Sequence, residues 1–243
     1  MWTIFRKEIR SFFSTLIGYV VIGVFLLLLG LMMWVFPDYS ILYYNYATLD
    51  QLFFIAPIIF LFLIPALTMR SFSEEIQNGT LEILITKPIE EKEIVLGKFL
   101  ACLCLVLISL IPTLLYFYSV YQLGSPVGNI DTGAVAGSYI ALLFLSASFV
   151  AIGLFSSSLS KNQVVSFLLA MFLCFFIYFG FYFFSKIPLF FGRVDDLVQR
   201  FGIDDHYNSM SKGLIDTRDV LYFLSLIGFF IFITVENIKR RAF

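Results

Sequence analysis

Few residues in this chain have side chains suited to chemistry, and most of them lie outside its apolar segments. His206 is the only histidine, and Cys102, Cys104 and Cys174 are the only cysteines. A metal site needs three or four converging ligands, so a lone histidine in a polar stretch is a weak candidate for metal binding or catalysis. The Cys102-x-Cys104 spacing lacks the two-residue gap that is usual in zinc and redox motifs. The sequence therefore favours packing roles for the cysteines.

The sequence contains no recognisable motif for hydrolysing ATP. Gly97-Lys98-Phe99 has the Gly-Lys pair of a phosphate-binding loop but lacks the earlier glycine and the following Ser or Thr. Glu236, near a helix end, is the one ionisable residue that we place inside an apolar segment. Ionisable groups at membrane depth are costly and are usually retained for function. We therefore predict that the chain is not an enzyme, and that any transport energy comes from another polypeptide.

Composition indicates a membrane protein. Of the 243 residues, 60% are hydrophobic and 14% are charged, whereas soluble domains contain roughly 45–50% and roughly 25%. A helix needs about 20 apolar residues to cross about 30 Å of hydrocarbon. The net charge of −1 provides no basic surface for nucleic acid. The pattern predicts one all-α transmembrane domain over the whole chain, with six spans at residues 16–36, 52–69, 99–121, 135–159, 164–184 and 220–238.

The distribution of lysine and arginine predicts the orientation. Basic residues cluster at 6–10 before the first span and at 239–241 after the last, and others lie between the second and third spans. The loops after the first and third spans contain none. Loops rich in Lys and Arg stay in the cytoplasm, although this rule is weak for a long mixed-charge loop such as 185–219. Both chain ends and the segment 70–98 are therefore predicted to be cytoplasmic.

The segment 70–98 has the most informative pattern. Asn78-Gly79 is expected to end a short helix, because glycine adopts the left-handed cap conformation at low cost. Thr80 is expected to cap the next turn, in which the apolar residues of 81–85 share one face. Pro88 suits the first position of a further helix, whose positive amino end favours the glutamates that follow. The segment is predicted to form short amphipathic helices at the cytoplasmic membrane surface.

Glu75, the run Gly79-Thr80-Leu81-Glu82, Pro88 and Gly97-Lys98 together resemble the cytoplasmic element of ABC-2 type transporter permeases. The resemblance extends along almost the whole chain. It implies that this element lies between the second and third of six helices and docks into a nucleotide-binding subunit. By this resemblance, the glutamates of the element make polar contacts with the ATPase. The Gly-Thr pair sets the geometry of the turn, and the leucine and proline pack the element. The expected ATPase-coupling residues are Glu74, Glu75, Gly79, Thr80, Leu81, Glu82 and Pro88.

Longer strings are similar to the gliding-motility-associated branch of this family. They include Phe62-Leu63-Ile64-Pro65-Ala66, Thr68-Met69-Arg70-Ser71-Phe72-Ser73-Glu74-Glu75 and Pro126-Val127-Gly128-Asn129-Ile130-Asp131. The resemblance implies a multi-pass permease in the bacterial inner membrane, with ATP bound by a separate ABC ATPase and no cofactor in this chain. It also implies a second membrane subunit, identical or related, and a role in surface motility or associated secretion.

Two other functions remain open at this level. One is a generic ABC-2 exporter of lipid, glycan or drug, and the other is a membrane scaffold that never meets an ATPase. The absence of paired catalytic residues in the spans argues against an intramembrane enzyme. No transported substrate can be deduced, because the expected path is apolar and aromatic.

Three further patterns concern the spans and the outer segment. Gly137-x-x-x-Ala141 and Ala147-x-x-x-Ala151 are expected to let helix backbones approach closely. Pro57, Pro65 and Pro112 are expected to bend or break their helices. In the outer segment 185–219, four apolar residues at helical spacing predict a helix lying in the interface: Phe190, Val194, Leu197 and Phe201.

Overall fold

The computed structural model describes residues 1–44, 46–86, 89–187 and 195–241, and over these ranges the chain is helical with no strands. The helices are α1 Trp2–Ser14, α2 Leu16–Trp34, α3 Ile41–Tyr44, α4 Asp50–Thr68, α5 Arg70–Gln77, α6 Thr80–Ile85, α7 Glu91–Leu110, α8 Leu114–Leu123, α9 Thr132–Leu159, α10 Gln163–Phe175, α11 Phe181–Ser185, α12 Asp195–Gln199, α13 Ile203–Met210 and α14 Thr217–Arg241. Six stretches in this described part are long and apolar enough to cross a membrane: Leu16–Trp34, Asp50–Gln77, Glu91–Leu123, Thr132–Leu159, Gln163–Ser185 and Thr217–Arg241. The predicted all-α fold with six spans is confirmed.

The six stretches divide into an inner and an outer group. In the second, third and fourth stretches, between 61% and 78% of the most apolar window is buried, whereas in the other three this share is between 22% and 28%. The outer helices therefore present most of their apolar surface to whatever surrounds the bundle. Around a single chain in a bilayer, the surroundings are lipid hydrocarbon, and hydrocarbon solvates this apolar surface.

α9 is the central helix, and small residues allow its close contacts. It packs against α4, α10 and α14. Ala141, Ala147 and Ala151 are buried on it. At Gly153 a Cβ atom would clash with the Thr68 side chain of α4, so the absence of a side chain at this glycine gives Thr68 room against α9. Gly137, from the first predicted pair, meets Gly213 between α13 and α14 rather than another helix, since a Cβ atom there would lie 2.8 Å from the Gly213 Cα.

α1 is an amphipathic helix that the sequence-based prediction lacks, since that prediction begins the helical part at residue 16. Its buried face consists of Ile4, Glu8 and Phe12, spaced four residues apart. The helix packs against α7 and α2. At Gly97 of α7 a Cβ atom would lie 3.0 Å from the Ile4 side chain, so this glycine lets the two helices meet. The chain therefore begins with a helix docked on the bundle rather than with a free tail.

The prolines have different effects on their helices. Pro57 and Pro65 both lie inside α4, which continues without interruption to Thr68. Pro112 lies in a single 3-10 turn, Ile111–Thr113, that separates α7 from α8. A second irregularity is a π-helical turn, Phe176–Gly180, between α10 and α11. The predicted break is thus present at Pro112, while α4 is unbroken at its two prolines.

The third span and the outer segment differ in detail from the sequence-based expectation. α7 begins at Glu91, with Glu91 and Glu93 in its first turn, so these glutamates start the span itself rather than a separate short helix. In the outer segment, α12 ends at Gln199, before Phe201, and both Leu197 and Phe201 are exposed. Phe190 and Val194 lie outside the described residues.

α13 anchors the outer segment to the bundle. It buries Ile203, Tyr207 and Met210, which share one face of the helix. The Tyr207 hydroxyl donates a 2.6 Å hydrogen bond to the carbonyl oxygen of Phe53 in α4. The outer segment therefore packs into the bundle through α13.

Candidate functional site

α1, α5, α6 and the last turn of α14 lie at one end of the bundle, which we name the basic end. The connection runs through α9: Ser157 bonds to the start of α5, and Arg241 donates to the carbonyl oxygen of Leu159 at 2.9 Å. This end carries both chain termini and the basic clusters that the positive-inside rule assigns to the cytoplasm. The predicted coupling residues from Glu74 to Glu82 lie here too.

α5 and α6 are joined by a tight turn at Gly79. The Asn78 amide donates to the Glu74 carbonyl oxygen at 3.0 Å, and the Gly79 amide donates to Ile76 at 3.3 Å. Gly79 has φ of 67°, and open space surrounds the position of a Cβ atom. The backbone conformation, rather than a lack of room, is therefore what favours glycine here. The predicted helix end at Asn78-Gly79 is confirmed.

The prediction that Thr80 caps α6 is wrong. The residue before the first turn of α6 is Gly79, and no side chain caps that turn. The Thr80 hydroxyl instead donates to the carbonyl oxygen of Glu75 at 3.3 Å. A threonine hydroxyl between two helices can bond to either, and here it satisfies a carbonyl at the end of α5.

The remaining predicted coupling residues divide into exposed and buried groups. Glu82 is exposed on α6, and Glu74 is half-exposed in an i,i+4 ion pair with Arg70 at 2.9 Å. Leu81 is only 3% exposed and packs into the core. Pro88 lies outside the described residues. The exposed face of α5 and α6 therefore carries Glu82 and the Arg70–Glu74 ion pair, and Leu81 lies on the buried side.

Glu75 points inward, into what we name the Lys98 cluster: Lys98, Glu8, Glu75 and Lys7. The Lys98 side chain is 2% exposed, and its ammonium lies 2.9 Å from Glu8 Oε1 and 3.0 Å from Glu75 Oε1. It also donates to the carbonyl oxygen of Ser71 at 2.7 Å. The cluster joins three helices, because Glu8 belongs to α1, Glu75 to α5 and Lys98 to α7.

Lys7 completes the charge balance at the edge of this cluster. Its ammonium lies 3.0 Å from Glu75 and 3.6 Å from Glu8. Burial acts to lower the pKa of Lys7, but the charges of Glu75 and Glu8 outweigh it and leave the pKa raised. Two cations therefore face two carboxylates. In the described part of the chain, Glu75 Oε2 is buried without a hydrogen-bond partner.

A serine of α9 fixes the junction between α4 and α5. Ser157 Oγ accepts hydrogen bonds from the amides of Phe72 at 2.9 Å and Ser73 at 3.1 Å, and it donates to the Met69 carbonyl oxygen at 2.9 Å. The first amides of a helix have no partner within that helix. A side chain from the central helix therefore satisfies the start of α5 and holds it in place.

A family model described as ABC-2 family transporter protein matches residues 2–191, which is more than half of the chain. The chain therefore belongs to this family, and it is the membrane permease component of an ABC-2 type transporter. Membrane subunits of this family typically lack ATPase activity and generally pair with an ABC ATPase. A comparison with curated proteins gives no significant match. The matched range includes α1, α5, α6 and the whole Lys98 cluster.

Sequence reasoning missed Glu8 and Ser157 as parts of this site, and it included Lys98 in the resemblance without assigning it a role. The local sequence around Glu8 and Lys98 could have indicated them, because a charged residue within an otherwise apolar helical stripe is unusual. Glu8 lies between Ile4 and Phe12 on one face, and Lys98 lies among buried neighbours on α7. Burial of a charge costs free energy unless the charge is paired. The pattern therefore predicts that each residue has a partner of opposite charge, but it does not identify that partner.

Proposed function

We propose that α5 and α6 form the surface on which a separate ABC ATPase docks, and that this contact powers the permease. The observation that carries the proposal is a division of roles within residues 70–86. Glu74 and Glu82 face outward, while Glu75 and the first amides of α5 are held from within by Lys98 and Ser157. A docking element needs an exposed face and a rigid attachment, and this one has both.

The attachment supports a rigid-body mechanism. α5 follows α4 after the single residue Met69, and the Lys98 cluster links α5 to α7 and α1. When ATP closes the ATPase dimer, α5 and α6 move with it, and the second and third spans tilt with α1. Such a shift requires contacts that differ in free energy between the two states. The exposed carboxylates of α5 and α6 are the groups that we assign to those contacts.

We further propose that two membrane subunits, identical or related, assemble in a bacterial cytoplasmic membrane. The uncovered apolar surfaces of α2, α10 and α14 are available for contact with a second subunit as well as with lipid. The basic clusters at the end that carries both termini support the orientation.

The association with gliding motility is the most specific part of the proposal. It rests on the resemblance of the longer sequence strings to the gliding-motility-associated branch of the family. Deletion of the gene is expected to abolish spreading on agar and to leave growth in liquid unchanged. Complementation with the wild-type gene should restore spreading. Normal spreading of the deletion strain would overturn this part and leave the docking proposal intact.

Co-purification tests the docking proposal directly. The double variant Glu82→Lys with Gly79→Val reverses an exposed charge and strains the turn, and it is expected to retain less than a tenth of the ATPase after gentle detergent purification. Glu236→Lys is the matched control, since Glu236 is also partly exposed at the basic end but lies on α14. It should retain wild-type amounts. Recovery of wild-type amounts with the double variant would refute the docking assignment.

A further inference from the structure

A cavity of about 730 Å³ lies at the end of the bundle opposite the coupling helices. Its walls come from the start of α4, the start of α9, the π turn with α11, and α13. Such a volume is in the range of small-molecule sites, about 300–1,000 Å³. The Lys98 cluster and the docking surface play no part in it.

Seven of the residues that line the cavity are aromatic. They are Phe53, Phe54, Tyr178, Phe179, Tyr182, Phe183 and Tyr207. Tyr178 and Phe179 belong to the π turn Phe176–Gly180, which changes the direction of side chains within an otherwise regular helix. Single π turns of this kind are frequent at functional sites. Phe54 and Phe183 are 63% and 58% exposed, so the aromatic wall continues onto the apolar surface of the bundle.

The charged groups of the cavity are mainly acidic. Among the residues that the structure describes, Asp50, Asp131 and Asp204 line it, against the single ammonium of Lys212. Asp131 is partly engaged as the cap of α9, where it accepts from two backbone amides. Asp50, Asp131 and Lys212 are exposed, whereas Asp204 is only partly exposed on the wall.

Asp204 is the carboxylate best placed to meet a ligand. The side chains of Asn208 and Tyr178 lie beside it in the cavity wall, and burial raises its pKa above the ordinary value of an aspartate. Among the residues that the structure describes, it forms no ion pair. A desolvated carboxylate without a cation gains free energy when a cation arrives.

We propose that this cavity binds an amphiphilic organic cation, with its ammonium group against Asp204 and its apolar body along the aromatic wall. Aromatic faces attract ammonium groups, and the attraction strengthens where water is excluded. The excess of carboxylates disfavours a phosphate or sulfate head group. The continuation of the wall onto the lipid-exposed surface suits a hydrocarbon chain. Identification of this ligand as the transported substrate rests on the proposed function, but its binding does not.

Binding to the full chain in lipid nanodiscs, with empty nanodiscs subtracted, tests the proposal. The probes are decyltrimethylammonium, decyl sulfate and decyl maltoside, which share a chain and differ in head-group charge. We expect decyltrimethylammonium to bind at least tenfold more tightly than decyl sulfate. Asp204→Asn, which keeps the size and one acceptor oxygen but removes the negative charge, should weaken binding of the cation at least tenfold. Asp205→Asn is the matched control, because Asp205 is an exposed neighbour outside the cavity, and it should bind as wild type.

Three results would each overturn the proposal. Equal binding of decyl sulfate and the cation would indicate an apolar groove without charge selectivity. Displacement of the cation by equimolar decyl maltoside would indicate a glycan site. Unchanged binding of the cation by correctly folded Asp204→Asn protein would show that this carboxylate is not involved. No ATPase is present in the assay, so loss of ATPase docking and loss of ligand binding are separate outcomes.

Discussion

Replacement of Lys98 by Met tests the cluster on which the coupling mechanism depends. The substitution keeps an unbranched side chain of similar length and removes only the ammonium. That ammonium has three partners within 3.0 Å: Glu8, Glu75 and the Ser71 carbonyl oxygen. Without it, the two carboxylates, 11% and 14% exposed, share Lys7 as their only remaining cation in the cluster.

The expected loss of stability follows from this geometry. Removal of one partner from a buried ion pair costs about 3–5 kcal/mol, mostly because the remaining charge is left uncompensated. Lys7 lies within 3.6 Å of both carboxylates and is 59% exposed, so it compensates part of the loss. We therefore expect Lys98→Met to lower the free energy of unfolding by about 3 kcal/mol, the lower end of that range.

The double variant Lys98→Met with Glu75→Gln distinguishes a charge cluster from simple packing. It removes one charge of each sign and leaves Lys7 with Glu8. Its loss of stability should be smaller than the sum of the two single losses by about 1–3 kcal/mol, as for contacting residues in one network. Lys92→Met, an exposed lysine on the same helix, is the control and should change stability by less than about 0.5 kcal/mol.

Unfolding in maltoside micelles with increasing mole fraction of dodecyl sulfate, followed by circular dichroism, measures the wild type and the four variants. The reasoning would be refuted if Lys98→Met matched the Lys92→Met control. Strict additivity of the two single losses would refute it equally, because it would mean that Lys98 and Glu75 do not interact.

Three further predictions use other parts of the structure. Ser157→Ala leaves two buried amides of α5 without an acceptor, so it should lower the free energy of unfolding by about 1–3 kcal/mol in the same assay. An unchanged free energy of unfolding would show that water or another group replaces the serine. Gly153→Ala should lower the free energy of unfolding by about 1–3 kcal/mol, because its Cβ would clash with α4. Gly23→Ala, with open space around the Cβ, should be neutral or stabilising, and equal effects of the two changes would refute the close approach. A cysteine at Asn129, but not one at Asn78, should react in intact cells with a reagent that cannot cross the membrane, and labelling at Asn78 would reverse the orientation.

Features set by local sequence were predictable, and features set by distant contacts were not. The six spans follow from summed hydropathy over about 20 residues, which the bilayer enforces regardless of packing. The helix end at Gly79 follows from the backbone freedom of one residue. Thr80 was wrongly assigned because its hydroxyl can either accept from an amide of α6 or donate to a carbonyl oxygen of α5. The sequence does not show which of these two bonds forms.

The Lys98 cluster and the Ser157 contact depend on pairs that are far apart in the chain. Lys98 bonds to Glu8 across 90 positions, and Ser157 bonds to Phe72 across 85. Such pairs exist only once α1, α5, α7 and α9 are packed, and no spacing rule reports them. The inward direction of Glu75 has the same cause. By sequence it is one of two adjacent glutamates, and only the position of Lys98 distinguishes it from Glu74.

Photo-crosslinking in the assembled transporter tests the docking surface most directly. A photoreactive amino acid replaces Glu82 on α6 in one protein and Val127, which is 62% exposed between α8 and α9 at the opposite end, in another. Illumination should join the chain to the ATPase from position 82 and not from position 127. An ATPase crosslink from position 127, or none from position 82 in a complex that still hydrolyses ATP, would contradict the proposal that α5 and α6 receive the ATPase.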